Sequence, residues 1–325
     1  MALLFLALGL VLFLGGLRLM SAGMEGMSGT AFADAIHRYT KTRTSAFFCG
    51  LLFTALTQSS SLATVIVVGV VDAGLMSLAP AIAVIIGANV GTTFTGQLLS
   101  FHLYDYALPL AAVGIILAIF GKRRIRQGGR ALTGVSVLLV GLKTMGTSLE
   151  PFISTPWFNQ LLNTTSTHPV LGVAVGAFST AVVQSSSAVV GMVLALAKEG
   201  ALTLAAGAAV VVGADVGTCI TSLLAGLGAG VAARRAAVAH LLFNIFSVLL
   251  ILPLFSHFIN VAASSATTLP RQLANAHTLY NLSGAILLLL FLTPFQIMVE
   301  KLVRSDYTKR RRISNVFSEV IRKWF

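Results

Sequence analysis

Two copies of one polar word, Gln58-Ser59-Ser60-Ser61 and Gln184-Ser185-Ser186-Ser187, each lie inside a run of apolar residues. At lipid depth, adjacent polar side chains leave hydrogen-bonding groups in need of partners, so such a tract faces a protein interior or an aqueous cavity. The surroundings repeat as well. Laying residues 46–101 over 172–227 without a gap pairs Gly50 with Gly176, Thr54-Ala55 with Thr180-Ala181, Gly74 with Gly200 and Leu78-Ala79 with Leu204-Ala205. It also pairs Gly87-Ala88-Asn89-Val90-Gly91-Thr92 with Gly213-Ala214-Asp215-Val216-Gly217-Thr218. Apolar composition alone does not bring glycines, threonines and a glutamine into one register, so the chain is an internal duplication.

With 56% hydrophobic and 10% charged residues and a mean hydropathy of +0.91, the 325-residue chain is too apolar for an ordinary soluble domain. It reads as an all-α polytopic membrane protein. The net charge of +12 would suggest nucleic acid in a soluble protein, but the Lys and Arg sit in a few loops and the C-terminal tail. There they serve as topology signals and contacts to anionic lipid heads, and no nucleic-acid partner is expected. Cys49 and Cys219 lie within apolar segments without metal-ligand spacing and read as small packing residues. The apolar start, residues 1–14, resembles a signal peptide, yet Gly16-Leu17-Arg18-Leu19-Met20 through Glu25 has a twin in Gly141-Leu142-Lys143-Thr144-Met145 through Glu150. A segment with an internal twin belongs to the fold.

Charge distribution orients the copies. The connection after the first span (2–20) carries Arg38, Lys41 and Arg43, whereas its counterpart, residues 151–169, has no Lys or Arg. Residues 100–109 also lack them, whereas their counterpart carries Arg234 and Arg235. Opposite charge character in matching loops predicts two inverted-topology repeats. If 46–71 and 77–99 both crossed, the uncharged loop at 100–109 would share a side with the basic loop before them, so one must turn back. The segment with the QSSS word is assigned that role, as a re-entrant helical hairpin, against the alternative of one tilted 26-residue helix.

The expected organisation is repeat 1 over 1–121 with its hairpin at 46–71, and a cytoplasmic junction at 122–130. Repeat 2, inverted, covers 131–255 with its hairpin at 171–197, followed by an extra span within 256–300 and a basic amphipathic cytoplasmic tail at 301–325. That makes about seven full spans plus two hairpins, in a multi-pass protein of the cell (inner) membrane with its N-terminus outside. In the tail, Ile313, Val316, Phe317, Val320, Ile321 and Trp324 recur at helical spacing, which predicts a helix on the inner surface or docking a further domain.

Two half-helices meeting at serines place unpaired N–H groups and hydroxyls near the midplane, which suits a small oxyanion. Gln58 to Ser61 and Gln184 to Ser187 are the candidate anion site. Asn89, Thr92, Thr93, Asp215 and Thr218 supply oxygens for a coupling cation, and Asp215 at lipid depth requires a cation, proton or donor. Its twin is neutral Asn89, so the halves are not expected to contribute equally. A lone serine patch or Gly-xxx-Gly spacing is most often interhelical packing. Duplication in register and opposed orientation favours binding. The words AHLLFN (to Asn244) and AHTLYN (to Asn281) read first as buried His and Asn bonding neighbouring helices, with Asn244 and Asn281 as further site candidates. Arg18 and Lys143 are expected to snorkel, and Asp72 to be a solvated cap.

The paired QSSS words, GANVGTT and GADVGTC, and the AHLLFN and AHTLYN words resemble the sodium/phosphate cotransporter family, the type II group and its bacterial relatives. The resemblance covers about residues 5–300. It implies secondary active transport, a sodium-coupled symport of inorganic phosphate with both QSSS hairpins forming the site, no enzyme activity and no cofactor beyond sodium as coupling ion. Asp215 departs from the asparagine commoner there, which leaves proton coupling open. Relatives often continue into a PhoU-like domain, and the tail reads as a stub toward such a domain or partner. The alternatives are a phosphate exporter, a proton-coupled anion carrier, a non-transporting phosphate sensor or scaffold, and an intramembrane serine hydrolase. Two equivalent serine tracts argue against the hydrolase, because nucleophilic catalysis needs one asymmetric serine and a base.

Overall fold

The structure is a computed structural model that describes residues 1–28, 40, 42–101, 103–153 and 155–304. Among the described residues the regular structure is all helical, without strands. In chain order the helices are α1 (Ala2–Ser28), α2 (Arg43–Thr57), α3 (Ser60–Asp72), α4 (Leu78–Leu99), α5 (Ala107–Phe120), α6 (Arg124–Ile153) and α7 (Pro156–Thr167). They continue as α8 (Pro169–Val183), α9 (Ser186–Lys198), α10 (Leu204–Gly226), α11 (Val231–Ile251), α12 (Phe255–Ser264), α13 (Leu269–Leu290) and α14 (Leu292–Leu302). The basic positions Arg38 and Lys41 and the tail helix expected at 313–324 lie outside the described residues.

Six helical segments are long and apolar enough to cross a membrane, or seven if the bent pair α7 and α8 is taken as one span. The stretch 106–120, which must return the chain to the junction at 122–130 if the repeats are inverted, is a helix of only 14 residues, α5. At 1.5 Å per residue it reaches roughly 21 Å, short of the hydrocarbon thickness. The extra span expected within 256–300 is α13, which stops at Leu290, where the chain turns at Phe291 into α14. Residues 151–169, expected as a loop, contain the helix α7, started by Pro156 at a position where its missing N–H costs nothing.

Glycine seams set the directions of the helices. A Cβ on Gly87 of α4 would strike the Phe47 carbonyl of α2, and one on Gly91 would lie 2.6 Å from the Leu51 carbonyl and 2.8 Å from Thr54. Contacts that advance together along both helices mean that α2 and α4 run parallel. The chain therefore turns after α2 and returns through α3 before α4 sets out. The second half repeats this: Gly213 abuts the Val173 carbonyl, while Gly217 abuts the Ala177 carbonyl and Thr180, so α8 and α10 are parallel and α9 is the return.

The twin helices α1 and α6 pack antiparallel. Gly9 meets Met145 and the Gly141 carbonyl, Gly16 meets Leu138 and the Gly134 carbonyl, and Gly23 meets Ala131 and Gln127. Each such glycine lets backbones approach as no larger residue would, the usual device where lipid supplies little hydrophobic drive between helices. Asp72, read as a solvated cap, instead accepts from Gly230 N at 2.8 Å and so ties the end of α3 to the start of α11. The extra helix α13 is fastened to the end of α4: Gln97 Nε2 donates to Asn275 Oδ1 and Thr278 Oγ1, and Arg271 donates to Ser100 Oγ.

Candidate functional site

The two QSSS words adopt one backbone conformation. Gln58 (φ 57, ψ 27) and Gln184 (φ 58, ψ 26) are left-handed C-caps whose N–H groups donate to Thr54 O at 2.7 Å and Thr180 O at 2.6 Å. Ser59 and Ser185 are extended N-caps, their hydroxyls accepting from Leu62 N at 3.2 Å and Ala188 N at 3.3 Å. A non-glycine residue in the left-handed region costs on the order of 1 to 3 kcal/mol and persists only when its surroundings impose it. Here two glutamines bear it at matching positions. The break rules out the single tilted helix at both places.

Both tips face one cavity of about 400 Å³, lined by Gln58 to Ser61 and Gln184 to Ser187. The N-termini of α3 and α9 thus converge on the same space. Each brings unpaired backbone N–H groups, serine hydroxyls and the positive end of a helix dipole. The third wall is one face of α1, with Leu14, Leu17, Arg18, Ser21, Ala22 and Glu25. Arg18, expected to snorkel, is therefore a cation on the cavity wall. Arg18, Ser21 and Glu25 fall on one side of a helix, but their twins Lys143, Gly146 and Glu150 have the same spacing, so sequence does not single out Arg18.

The side chains of the tips differ. Gln58 is buried, donating to Ala55 O and accepting from Thr95 Oγ1 at 2.6 Å. Gln184 is exposed to the cavity. Thr221, the twin of Thr95 in the duplicated register, donates to Thr218 O at 2.9 Å and reaches Ser61 Oγ of the other half at 3.4 Å. Sequence reasoning passed over Thr95 and Thr221, although the alignment of the copies pairs them.

The cation candidates are buried and do not line the cavity. Thr92, Thr93 and Thr218 donate to Ala88 O, Val90 O and Ala214 O within their own helices, which leaves their oxygens able to accept or coordinate. Asn89 Oδ1 accepts from Asn244 Nδ2 at 3.3 Å. Asp215 Oδ2 accepts from Asn281 Nδ2 at 2.7 Å and lies 2.9 Å from His277 Nε2. Each AHxxxN word therefore braces one copy of the glycine-rich word, and Asp215 meets protein donors. Among the described residues, no cluster of three or more His, Cys, Asp or Glu is arranged to hold a metal.

A family model described as Na+/Pi-cotransporter matches residues 12–147 and again 138–298, one match for each half. The uncharacterised protein YqeW of Bacillus subtilis (strain 168) is 29% identical over 244 residues, 75% of this chain and 80% of that protein. YjbB of Escherichia coli (strain K12), named as a candidate inorganic phosphate export protein, is 28% identical over 255 residues, 78% of this chain but 47% of its own length. Sodium-dependent phosphate transport protein 2A of Oryctolagus cuniculus is 34% identical over 93 residues, 28% of this chain and 14% of that protein. The chain thus spans about half of YjbB. No solved structure matches.

Proposed function

The chain belongs to the Na+/Pi-cotransporter family, a family of membrane transporters and not of enzymes, and from that premise we propose that it carries inorganic phosphate by alternating access, with the anion held between the two QSSS tips. The observation that carries this reading is the convergence of both tips, in matching backbone geometry, on one cavity. Helix N-termini, serine hydroxyls and Arg18 supply donors and positive charge without a metal, which is what a small multivalent oxyanion requires.

Sodium is the coupling ion of this proposal, held by oxygens of the two glycine-rich words: Asn89, Thr92 and Thr93 in one, Asp215 and Thr218 in the other, with Asn244 and Asn281 bracing them. Two hydroxyls on the helices that carry those words reach toward the tips, one in a short hydrogen bond and one at long range. Thr95 donates to Gln58, and Thr221 reaches Ser61. Occupancy of an ion beside these helices is thereby communicated to the anion site, and each ion offsets the other's charge. The antiparallel packing of the twins α1 and α6 supports repeats of inverted orientation, the architecture in which one half rocks against the other. The opposed charge of the matching loops supports an inner-membrane protein with its N-terminus outside and residues 122–130 in the cytoplasm.

Vesicles containing the purified protein should accumulate labelled phosphate only with an inward sodium gradient. Uptake indifferent to both sodium and pH would remove the coupled mechanism, and uptake driven by a proton gradient alone would replace sodium with the proton as the coupling ion. The double variant Ser59→Ala, Ser185→Ala should fold and lose uptake; near-normal uptake would move the site elsewhere. Export is a second reading, favoured by the name that YjbB bears. A coupled carrier runs either way, and reversing both gradients in the same vesicles measures it.

A further inference from the structure

The cavity is open along one seam and shut along its twin. On α1 it extends from Leu14 to Glu25, and the next residue, Phe13, is fully buried and sits where a Cβ on Gly191 of α9 would lie 2.7 Å from the ring. Beyond Phe13, α9 packs on α6, and a Cβ on Gly146 would stand 3.3 Å from Glu199 Oε1 and 3.8 Å from Ala195. Among the described residues, no comparable seam joins α1 to α3, the twins of α6 and α9. Val65 of α3, the twin of Gly191, is 42% exposed. The described state is therefore asymmetric: the α1–α3 seam stands open on the side where α1 ends, and the α6–α9 seam is sealed on the other.

Twins in different environments define what the reverse state contains. In the register that pairs Gly16 with Gly141, Arg18 corresponds to Lys143, Ser21 to Gly146 and Glu25 to Glu150. Arg18, Ser21 and Glu25 line the cavity, whereas Gly146 is closed against α9 and neither Lys143 nor Glu150 reaches the cavity. Since α1 and α6 run antiparallel, exchanging the conformations of the two halves opens the α6–α9 seam toward the opposite side and closes α1 on α3. The face of α6 then becomes the wall.

Resting on the transport reading above, we propose that Arg18 and Lys143 are side-specific anion-binding residues. Arg18 serves the oxyanion entering or leaving on the side where α1 ends, and Lys143 serves it on the opposite side. One cation at each access route draws the anion to the serine tips and is withdrawn when that route shuts. The guanidinium of Arg18 and the ammonium of Lys143 differ in how they bind an oxyanion, since only the former offers a planar two-point fork. The two sides are accordingly expected to differ in apparent affinity.

The test is phosphate exchange in vesicles of defined protein orientation. Arg18→Gln should raise the half-saturating phosphate concentration about tenfold or more on the side where α1 ends, the scale of one charge-assisted hydrogen bond, and less than about twofold on the other. Lys143→Gln should show the reverse, and Arg18→Lys should recover most of the loss. Equal effects on both sides, or no effect of either variant, would overturn the assignment. A second measurement does not depend on transport: the native cysteines are buried, so an impermeant maleimide reports on Ser21→Cys and Gly146→Cys. Their labelling should come from opposite sides and change in opposite senses when phosphate and sodium are added. A Gly146→Cys that is never labelled while Ser21→Cys remains reactive would refute the exchange of walls. Wild-type vesicles that exchange no phosphate, while Ser21→Cys and Gly146→Cys label from opposite sides but do not respond to added phosphate, would instead discard phosphate as the substrate and leave the exchange of walls standing.

Discussion

Gln58 and Gln184 share a backbone conformation to within a degree, yet one side chain is buried and clamped by Thr95 while the other is exposed in the cavity. The shared part comes from local chemistry repeated in both copies: a serine N-cap, a left-handed residue before it, and a threonine carbonyl four residues back. The unshared part comes from the neighbours each copy meets once the halves are in different conformations. What two copies have in common therefore reports on how the tip is built, and what separates them reports on the state of the molecule.

The common framework gives the largest expected effect. Gly87→Val and Gly213→Val would each drive a side chain into a backbone carbonyl of the helix alongside, Phe47 in one half and Val173 in the other. Backbone cannot yield as a side chain does, so each should cost more than about 3 kcal/mol and leave little monodisperse protein in detergent. Gly69→Ala, with nothing near the new methyl, serves as the neutral control. Unequal damage from the two valines would show that the parallel seams are not equivalent.

The glycine-rich words come next, because the twins Asn89 and Asp215 differ in chemistry as well as in surroundings. Asp215→Ala strands His277 Nε2 in the interior and leaves Asn281 Nδ2 only the His277 carbonyl, and losing one partner of a buried charged network costs about 3 kcal/mol. Asn89→Ala removes one of three acceptors around Asn244, which retains His240 O and Cys219 Sγ, and should cost about 0.6 kcal/mol, the scale of an interhelical hydrogen bond in a membrane. Thermal unfolding in detergent would measure the gap. Equal destabilisation would mean that Asp215 is not the anchor of its network.

The duplication, the helical class and the breaks at Gln58 and Gln184 were legible because they depend on short-range chemistry: polar words in apolar sequence, in register. The AHxxxN words were legible as interhelical braces for the same reason, since His277 and Asn281 lie on one helical face. Arg18 was not legible as a cavity residue. In sequence it is indistinguishable from Lys143, and nothing written equally into both copies can say which of them lines the open route. The short helices α7 and α12 escaped notice because neither is long enough to span and their apolar faces are interrupted by serines, threonines and asparagines. The tight α1–α6 seam escaped because its glycines, Gly9, Gly16 and Gly23, recur too sparsely to stand out from a glycine-rich chain.

The smallest effect is the most informative about the difference between the tips. Thr95→Val is nearly isosteric and removes the donor that holds Gln58 Oε1 at 2.6 Å, a loss of about 1 kcal/mol for one hydrogen bond. Thr221→Val removes a 3.4 Å approach to Ser61, too long to contribute much, and should leave the melting temperature nearly unchanged. If the clamp is a property of the described state and not of the fold, Thr95→Val acts by releasing Gln58 into the cavity, where it can take the position that Gln184 holds now. Phosphate affinity should then shift more than stability does. Thr221→Val should have its larger effect in the opposite-facing state, where the exchange of conformations gives it the role of holding Gln184. Measuring phosphate affinity of both variants from each side of oriented vesicles decides between these roles: a Thr95 effect on both sides makes the clamp permanent, and a Thr221 effect confined to the side opposite the end of α1 makes it alternate.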